Sequence, residues 1–158
     1  VILVGIDPGL TGAASFIDTR GRCSVEDLPT KELPGNGLIK RRIDGYALAR
    51  MLRDGCPADE PVLVLVEEVH AMGGSAVQTM GSMMRSVGAI ESVLEVLRLK
   101  VHPVRPQAWK KFFGLGADKA ESLRVARSLY PGAPLQLAKH HNRAEAVLIA
   151  HFGLRTLT

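Results

Sequence analysis

The chain has 158 residues, 46% hydrophobic and 23% charged, which provides for one real core and argues against global disorder. Lys and Arg number 20 against 16 Asp and Glu, and the formal charge of +4 permits a polyanionic partner. Aromatic residues make up 4%, too few for a stacking platform of the kind used by single-strand binders, and no apolar run approaches the ~18 residues that a membrane span requires.

Residues 1–6 are apolar and meet Asp7-Pro8-Gly9, a strand running into a turn with no basic segment ahead of it, so the start reads as a strand and not as a signal peptide. A second strand is expected over 12–18 and a third over 22–28, separated by a turn at 18–21, which together make a meander. Residues 29–37, with two Pro and two Gly, read as loop. Ile39, Ile43, Ala47 and Met51 recur every four residues, so a helix is expected over 38–53, ended by Gly55-Cys56-Pro57. Residues 61–66 are apolar and β-branched, the pattern of a strand buried on both faces, and they end in Glu67-Glu68.

After Gly73-Gly74 a long helix is expected over 77–98, carrying an apolar stripe from Met80 to Leu97. A short strand over 99–104 is closed by Pro103 and Pro106. A brief helix is expected over 109–113, and Asp118 with Glu121 fits a capping box for a helix through Leu129. A last helix is expected from about Asn142 to Phe152. The result is one α/β domain over 1–158, a mixed sheet flanked by helices. Cys23 and Cys56 have neither metal spacing nor partners for a disulfide framework, which suits a reducing, cytoplasmic setting.

The chemistry lies in scattered acids. Asp7 ends the first strand, where α/β folds place their sites. Glu67 and Glu68 end the fourth strand, and side-chain alternation lets only one of them share the face of Asp7. Glu145 lies on the last helix, three residues after Asn142 and four after His141, so His141 or Asn142 is a further candidate ligand beside it. Gathered carboxylates repel unless a cation compensates them, and magnesium prefers such oxygen donors. Lys40, Arg41, Arg42, Lys110, Lys111, Lys119 and Arg143 are candidates for a basic surface around that centre. No Rossmann fingerprint, P-loop, Gly-x-Ser-x-Gly elbow or His-Glu-x-x-His is present, so no nucleotide cofactor is expected.

Four segments in order resemble the RuvC-type Holliday junction resolvases, with the bacteriophage branch as the best match. They are Gly5-Ile6-Asp7-Pro8-Gly9, Val66-Glu67-Glu68-Val69-His70, Arg105-Pro106-Gln107 through Gly114-Leu115-Gly116-Ala117-Asp118-Lys119, and Arg143-Ala144-Glu145-Ala146-Val147-Leu148-Ile149-Ala150. The resemblance implies an RNase H-like fold with a five-stranded mixed sheet and a homodimer acting on branched double-stranded DNA. It implies metal-dependent cutting with two Mg²⁺ ions per site, Mn²⁺ substituting, and no membrane partner.

The resemblance assigns the catalytic and metal-binding acids to Asp7, Glu67 and Glu145. The fourth slot, three before the last acid, is commonly Asp or His in the family and holds Asn142 here, so His141 or Asn142 fills it. Lys119 matches a basic residue near the scissile strand and is counted with the catalytic residues. Of Trp109 and Lys110, the second basic slot goes to Lys110 because it carries charge. His70, Lys110, Lys111, Lys119 and Arg143 are the expected DNA contacts. The alternatives are a junction binder that no longer cuts and an RNase H-like nuclease on another substrate.

Overall fold

The computed structural model describes residues 1–35, 37, 40–69 and 77–158. Its main sheet has five strands: β1 (Ile2–Asp7), β2 (Ala13–Asp18), β3 (Cys23–Asp27), β6 (Val62–Glu67) and β7 (Lys100–Val104), in the order β3-β2-β1-β6-β7. β1 pairs antiparallel with β2, and β2 with β3, which is the expected meander; β1, β6 and β7 run parallel. A two-stranded sheet joins β4 (Thr30–Glu32) to β5 (Arg41–Ile43). Among the described residues there are five α-helices: α1 (Gly45–Gly55), α2 (Val77–Val96), α3 (Pro106–Phe112), α4 (Lys119–Leu129) and α5 (His141–Thr156), the last entered from a 3-10 turn over Ala138–His140.

Two apolar layers cover the two sheet faces. Ile2, Val4 and Ile6 of β1 join Val64 and Val66 of β6 against Leu48 and Leu52 of α1 and Ile90 and Leu94 of α2. Leu3 and Leu65 face the other way, into a layer with Trp109 of α3, Leu123 of α4 and Ala146, Val147 and Ile149 of α5. The period of two therefore decides which helix each strand residue meets. Gly5 lets α5 come onto β1: a Cβ there would lie 2.2 Å from the Ala146 carbonyl oxygen and 2.5 Å from the Ala150 nitrogen. Ser15 Oγ donates to that same Ala146 carbonyl at 2.7 Å, pinning the helix to β2 as well.

The structure corrects several expectations, among them α3, which spans Pro106–Phe112 and not the expected 109–113, because Pro106 takes the first helical position. The first helix starts at Gly45, capped by Asp44, whose Oδ1 accepts from the nitrogens of Tyr46 and Ala47 at 3.1 Å each. The segment before it is strand: Arg41, Arg42 and Ile43 pair with Glu32, Lys31 and Thr30, in residues read from sequence as helix start and loop. Leu38 and Ile39 lie outside the described residues. The last helix starts one residue early and runs on to Thr156. At α4, Asp118 caps the nitrogen of Ala120 as expected, but Glu121 accepts from Gly116 N and not from the cap residue. Among the described residues no helix is long and apolar enough to cross a membrane.

Candidate active site

The register of β1 against β6 places Ile6 opposite Val66, so Asp7 and Glu67, one residue on, end neighbouring parallel strands. Both continue the series of Leu3, Gly5, Leu63 and Leu65, which faces α5. Glu145 lies in the first turns of α5, on the side of the sheet to which these acids point. Glu68 follows the end of β6; its backbone nitrogen donates to Val104 O at 2.9 Å, its carboxylate stands 3.5 Å from Arg105 Nε, and it lines a cavity with His102, Val104 and Phe152. The two adjacent acids thus part by their partners, Glu67 toward Trp109 and Glu68 toward Arg105.

The three inward carboxylates feel one another. The Asp7 carboxyl is held well above the usual carboxylate range, first by burial, then by the charges of Glu145 and Glu67; Lys119 and Lys110 oppose this. The Glu67 carboxyl is also raised by burial, with Glu145 adding to the rise, while a hydrogen bond from Trp109 and the charge of Lys110 pull it down. A cleft of about 760 Å³ opens over Asp7 and Glu145, and its walls include Thr11, Lys40, Arg41, Lys119, His141 and Asn142. Acidic floor and basic rim together suit a phosphate chain approaching through cations.

The other candidates divide. His141 borders the cleft, and no hydrogen bond engages its ring among the described residues. Asn142 also borders it, but its Nδ2 donates to Thr11 O at 2.7 Å and to Thr11 Oγ1 at 3.2 Å. The Asn142 amide therefore holds the turn after Asp7, and it does not form a capping box with Glu145. Lys119 opens α4 on the cleft wall. Lys110 and Lys111 sit on α3, outside the cleft lining; Lys110 Nζ lies 5.2 Å from the centroid of the Trp109 ring. Arg143 is turned to β3, its Nε and Nη2 gripping Asp27 at 2.6 and 2.8 Å and its Nη1 donating to Pro134 O at 3.2 Å. His70 and the loop after it lie outside the described residues.

Sequence reasoning did not find two of the contacts made here. Trp109, fully buried, donates from Nε1 to Glu67 Oε2 at 2.7 Å. Thr11 anchors Asn142 from the β1–β2 turn. Neither contact has a sequence signal beyond the lone tryptophan lying beside the paired lysines of α3.

All-oxygen donors, half-buried and mutually repelling, fit a hard divalent cation in kind. As the side chains lie, no group of three His, Cys, Asp or Glu among the described residues stands close enough to hold one ion.

No family model matches the chain, and no curated protein matches it. Among solved structures, the chain is similar to T. thermophilus RuvC in complex with Holliday junction substrate, at 18% identity over 100% of this chain and 97% of that one, with a TM-score of 0.64. It is similar to Thermus thermophilus RuvC at 17% identity, 100% and 98% coverage and a TM-score of 0.59. The yeast mitochondrial Holliday junction resolvase Ydc2 aligns at 12% identity over 93% of this chain and 75% of its own length, with a TM-score of 0.57. At these identities the likeness is one of fold: the chain's five-stranded mixed sheet with flanking helices has the fold of these RuvC structures.

Proposed function

We propose that this chain is a RuvC-type Holliday junction resolvase of the bacteriophage branch. It would act as one nuclease domain over 1–158, in the cytoplasm, and cut four-way DNA by divalent-metal-dependent phosphodiester hydrolysis. The observation that supports the proposal is that Asp7 and Glu67 end the neighbouring strands β1 and β6, with Glu145 of α5 near enough to raise both carboxyls and with Lys119, Lys40 and Arg41 beside Asp7 and Glu145 in the cleft, in a fold like that of RuvC.

In this reading Asp7, Glu67 and Glu145 hold the cations, with His141 in the fourth position because its ring is free at the cleft while the Asn142 amide is occupied. These residues would hold two Mg²⁺ ions, or Mn²⁺ in their place, and the chemistry such ions would supply is activation of a water and charge to steady the leaving oxygen. Lys119 and Lys110 hold backbone phosphates, and Lys111 extends that surface along α3. A twofold dimer would present two such sites to the symmetric strands of a junction. The exposed apolar residues Val77, Met84 and Val96 of α2 give that interface a surface.

The test pairs cutting with binding. Asp7→Asn, Glu67→Gln and Glu145→Gln should each abolish cleavage of a synthetic four-way junction in Mg²⁺ or Mn²⁺. Each should leave junction affinity equal or slightly higher, because a negative charge near DNA is removed. Loss of binding in parallel with cutting would overturn the assignment. The same assay run on flaps and on RNA–DNA hybrids separates a junction enzyme from an RNase H-like nuclease of another preference. The reading as a junction binder that does not cut draws on the incomplete convergence of the acids; cleavage by the unmodified protein would dismiss it.

A further inference from the structure

Trp109 occupies a place that packing alone does not require. It lies on α3 with none of its surface exposed, locked among Leu65, Val104, Leu123 and Val147 on the α5 side of the sheet. From that anchorage its Nε1–H reaches Glu67 Oε2 at 2.7 Å, a short bond to a carboxylate across 42 residues of sequence. The next residue, Lys110, sets its ammonium over the same ring, 5.2 Å from the centroid. One rigid side chain thus touches an acid of the candidate centre at its edge and a cation of the candidate DNA surface at its face.

An indole N–H donates and cannot accept, and it carries no charge. It fixes one carboxylate oxygen, Oε2, and takes no part in holding Oε1, the oxygen a cation would use. A Lys or Arg in its place would fix the carboxylate equally but would repel a divalent cation. Partners of this kind around ligating groups typically change metal affinity or activity ~10- to 100-fold when removed.

We propose that Trp109 is a positioning residue that aims Glu67 at the metal and holds Lys110 in place beside it. The proposal rests on the functional reading given above for Glu67. Its role is to restrict the carboxylate to one direction before the cation arrives, so that binding does not have to order it.

Trp109→Phe keeps an aromatic body in the core and deletes the donor. Isothermal titration with Mn²⁺ should show affinity ~10-fold weaker or more, and junction cleavage should lose kcat ~10- to 100-fold while KM moves less than about threefold. The chain contains one tryptophan, so intrinsic emission reports this side chain alone. Mn²⁺ should change the emission of the unmodified protein, and Glu67→Gln should alter the metal-free spectrum by weakening the bond. Trp109→Phe with unchanged Mn²⁺ affinity would overturn the proposal. If Trp109→Phe does not fold, the emission experiment decides: a spectrum indifferent to both Mn²⁺ and Glu67→Gln overturns it. A protein that cuts no branched DNA, yet binds Mn²⁺ with Trp109-dependent affinity, would refute the nuclease reading and leave this inference standing.

Discussion

Asn142 and Thr11, separated by 131 positions, are joined by a side-chain amide that donates to a main-chain carbonyl at 2.7 Å. The bond ties the first turn of α5 to the turn that follows Asp7, so the elements carrying Asp7 and Glu145 are clasped beside their acids. Asn142→Ala removes this clasp at a cost of about 1 kcal/mol of stability. It should lower the urea midpoint and retain most cleavage. His141→Ala should do the opposite, keeping the midpoint and losing most activity. The reverse pattern in melts and cleavage rates would hand the fourth role to Asn142.

Gly5 is where α5 crosses the sheet, and a methyl there meets main-chain atoms, not flexible side-chain ends. Gly5→Ala must push α5 away from β1 and carry Glu145 with it. Overpacking of this kind costs ~1–3 kcal/mol. The expected result is a lower urea midpoint together with a loss of cleavage larger than the fraction unfolded accounts for. Gly81→Ala is the control: a Cβ at Gly81 meets nothing within 4 Å, so the isolated chain should tolerate it.

Period-two alternation is the part of the site that could be read in the sequence. Hydrophobic runs ending in Asp7 and in Glu67-Glu68 located two strand ends, and alternation required the two glutamates to part. The register of β1 with β6 then put Glu67 beside Asp7. The β4–β5 hairpin was not readable because Ile43 continues the four-residue spacing of α1; the Asp44 cap was the local sign that the helix begins later. Trp109–Glu67 and Arg143–Asp27 are long-range polar contacts, 42 and 116 residues apart, and such pairs leave no periodic trace in the chain.

Asp7 carries a folded-state cost. Its carboxyl is raised above its unfolded value by burial and by Glu145 and Glu67. A raised carboxyl contributes stability below the unfolded pKa and loses it as pH rises through the folded one, so at neutral pH the metal-free site is a burden. Asp7→Asn should therefore raise the thermal midpoint of the metal-free protein at pH 7.5, by the equivalent of about 1 kcal/mol. Added Mg²⁺ should raise the midpoint of the parent and leave that of Asp7→Asn nearly still. A drop in midpoint on Asp7→Asn would show that the aspartate stabilises the fold.

His151 titrates away from the site. Burial, with help from Arg155, holds its imidazole below the ordinary value of 6.5. Tyr130, its phenol pushed up to about 12 by burial, shares a hydrogen bond with His151 Nδ1 at 2.8 Å. A depressed group contributes stability above its unfolded pKa and loses it as pH falls through the folded one. Stability should decline as pH drops below 6.5, ahead of the losses from Asp18, Asp27 and Asp44, whose carboxyls are held low by hydrogen bonds. In His151→Gln the decline between pH 7 and 5 should flatten in urea titrations; an unchanged slope would place its origin elsewhere.

Three basic residues separate phosphate grip from fold. Lys119 lines the cleft, and Lys110 lies over Trp109 near the acids, so each is free to neutralise a phosphate. Arg143 has its guanidinium forked onto Asp27 and bonded to the Pro134 carbonyl, and a DNA contact would require that grip to open. Each phosphate contact on duplex DNA contributes ~0.9 to the slope of log affinity against log salt. Lys119→Ala and Lys110→Ala should each lower the slope of junction binding, measured without metal, by about that amount, and weaken affinity similarly across junction sequences. Arg143→Ala should leave the slope within about 0.3 of the parent and instead lower stability by ~1 kcal/mol, the upper range for an exposed, bidentate pair. Unchanged slopes for both lysines would remove them from the DNA surface, and a full unit lost on Arg143→Ala would show that DNA displaces Asp27 and restore Arg143 to it.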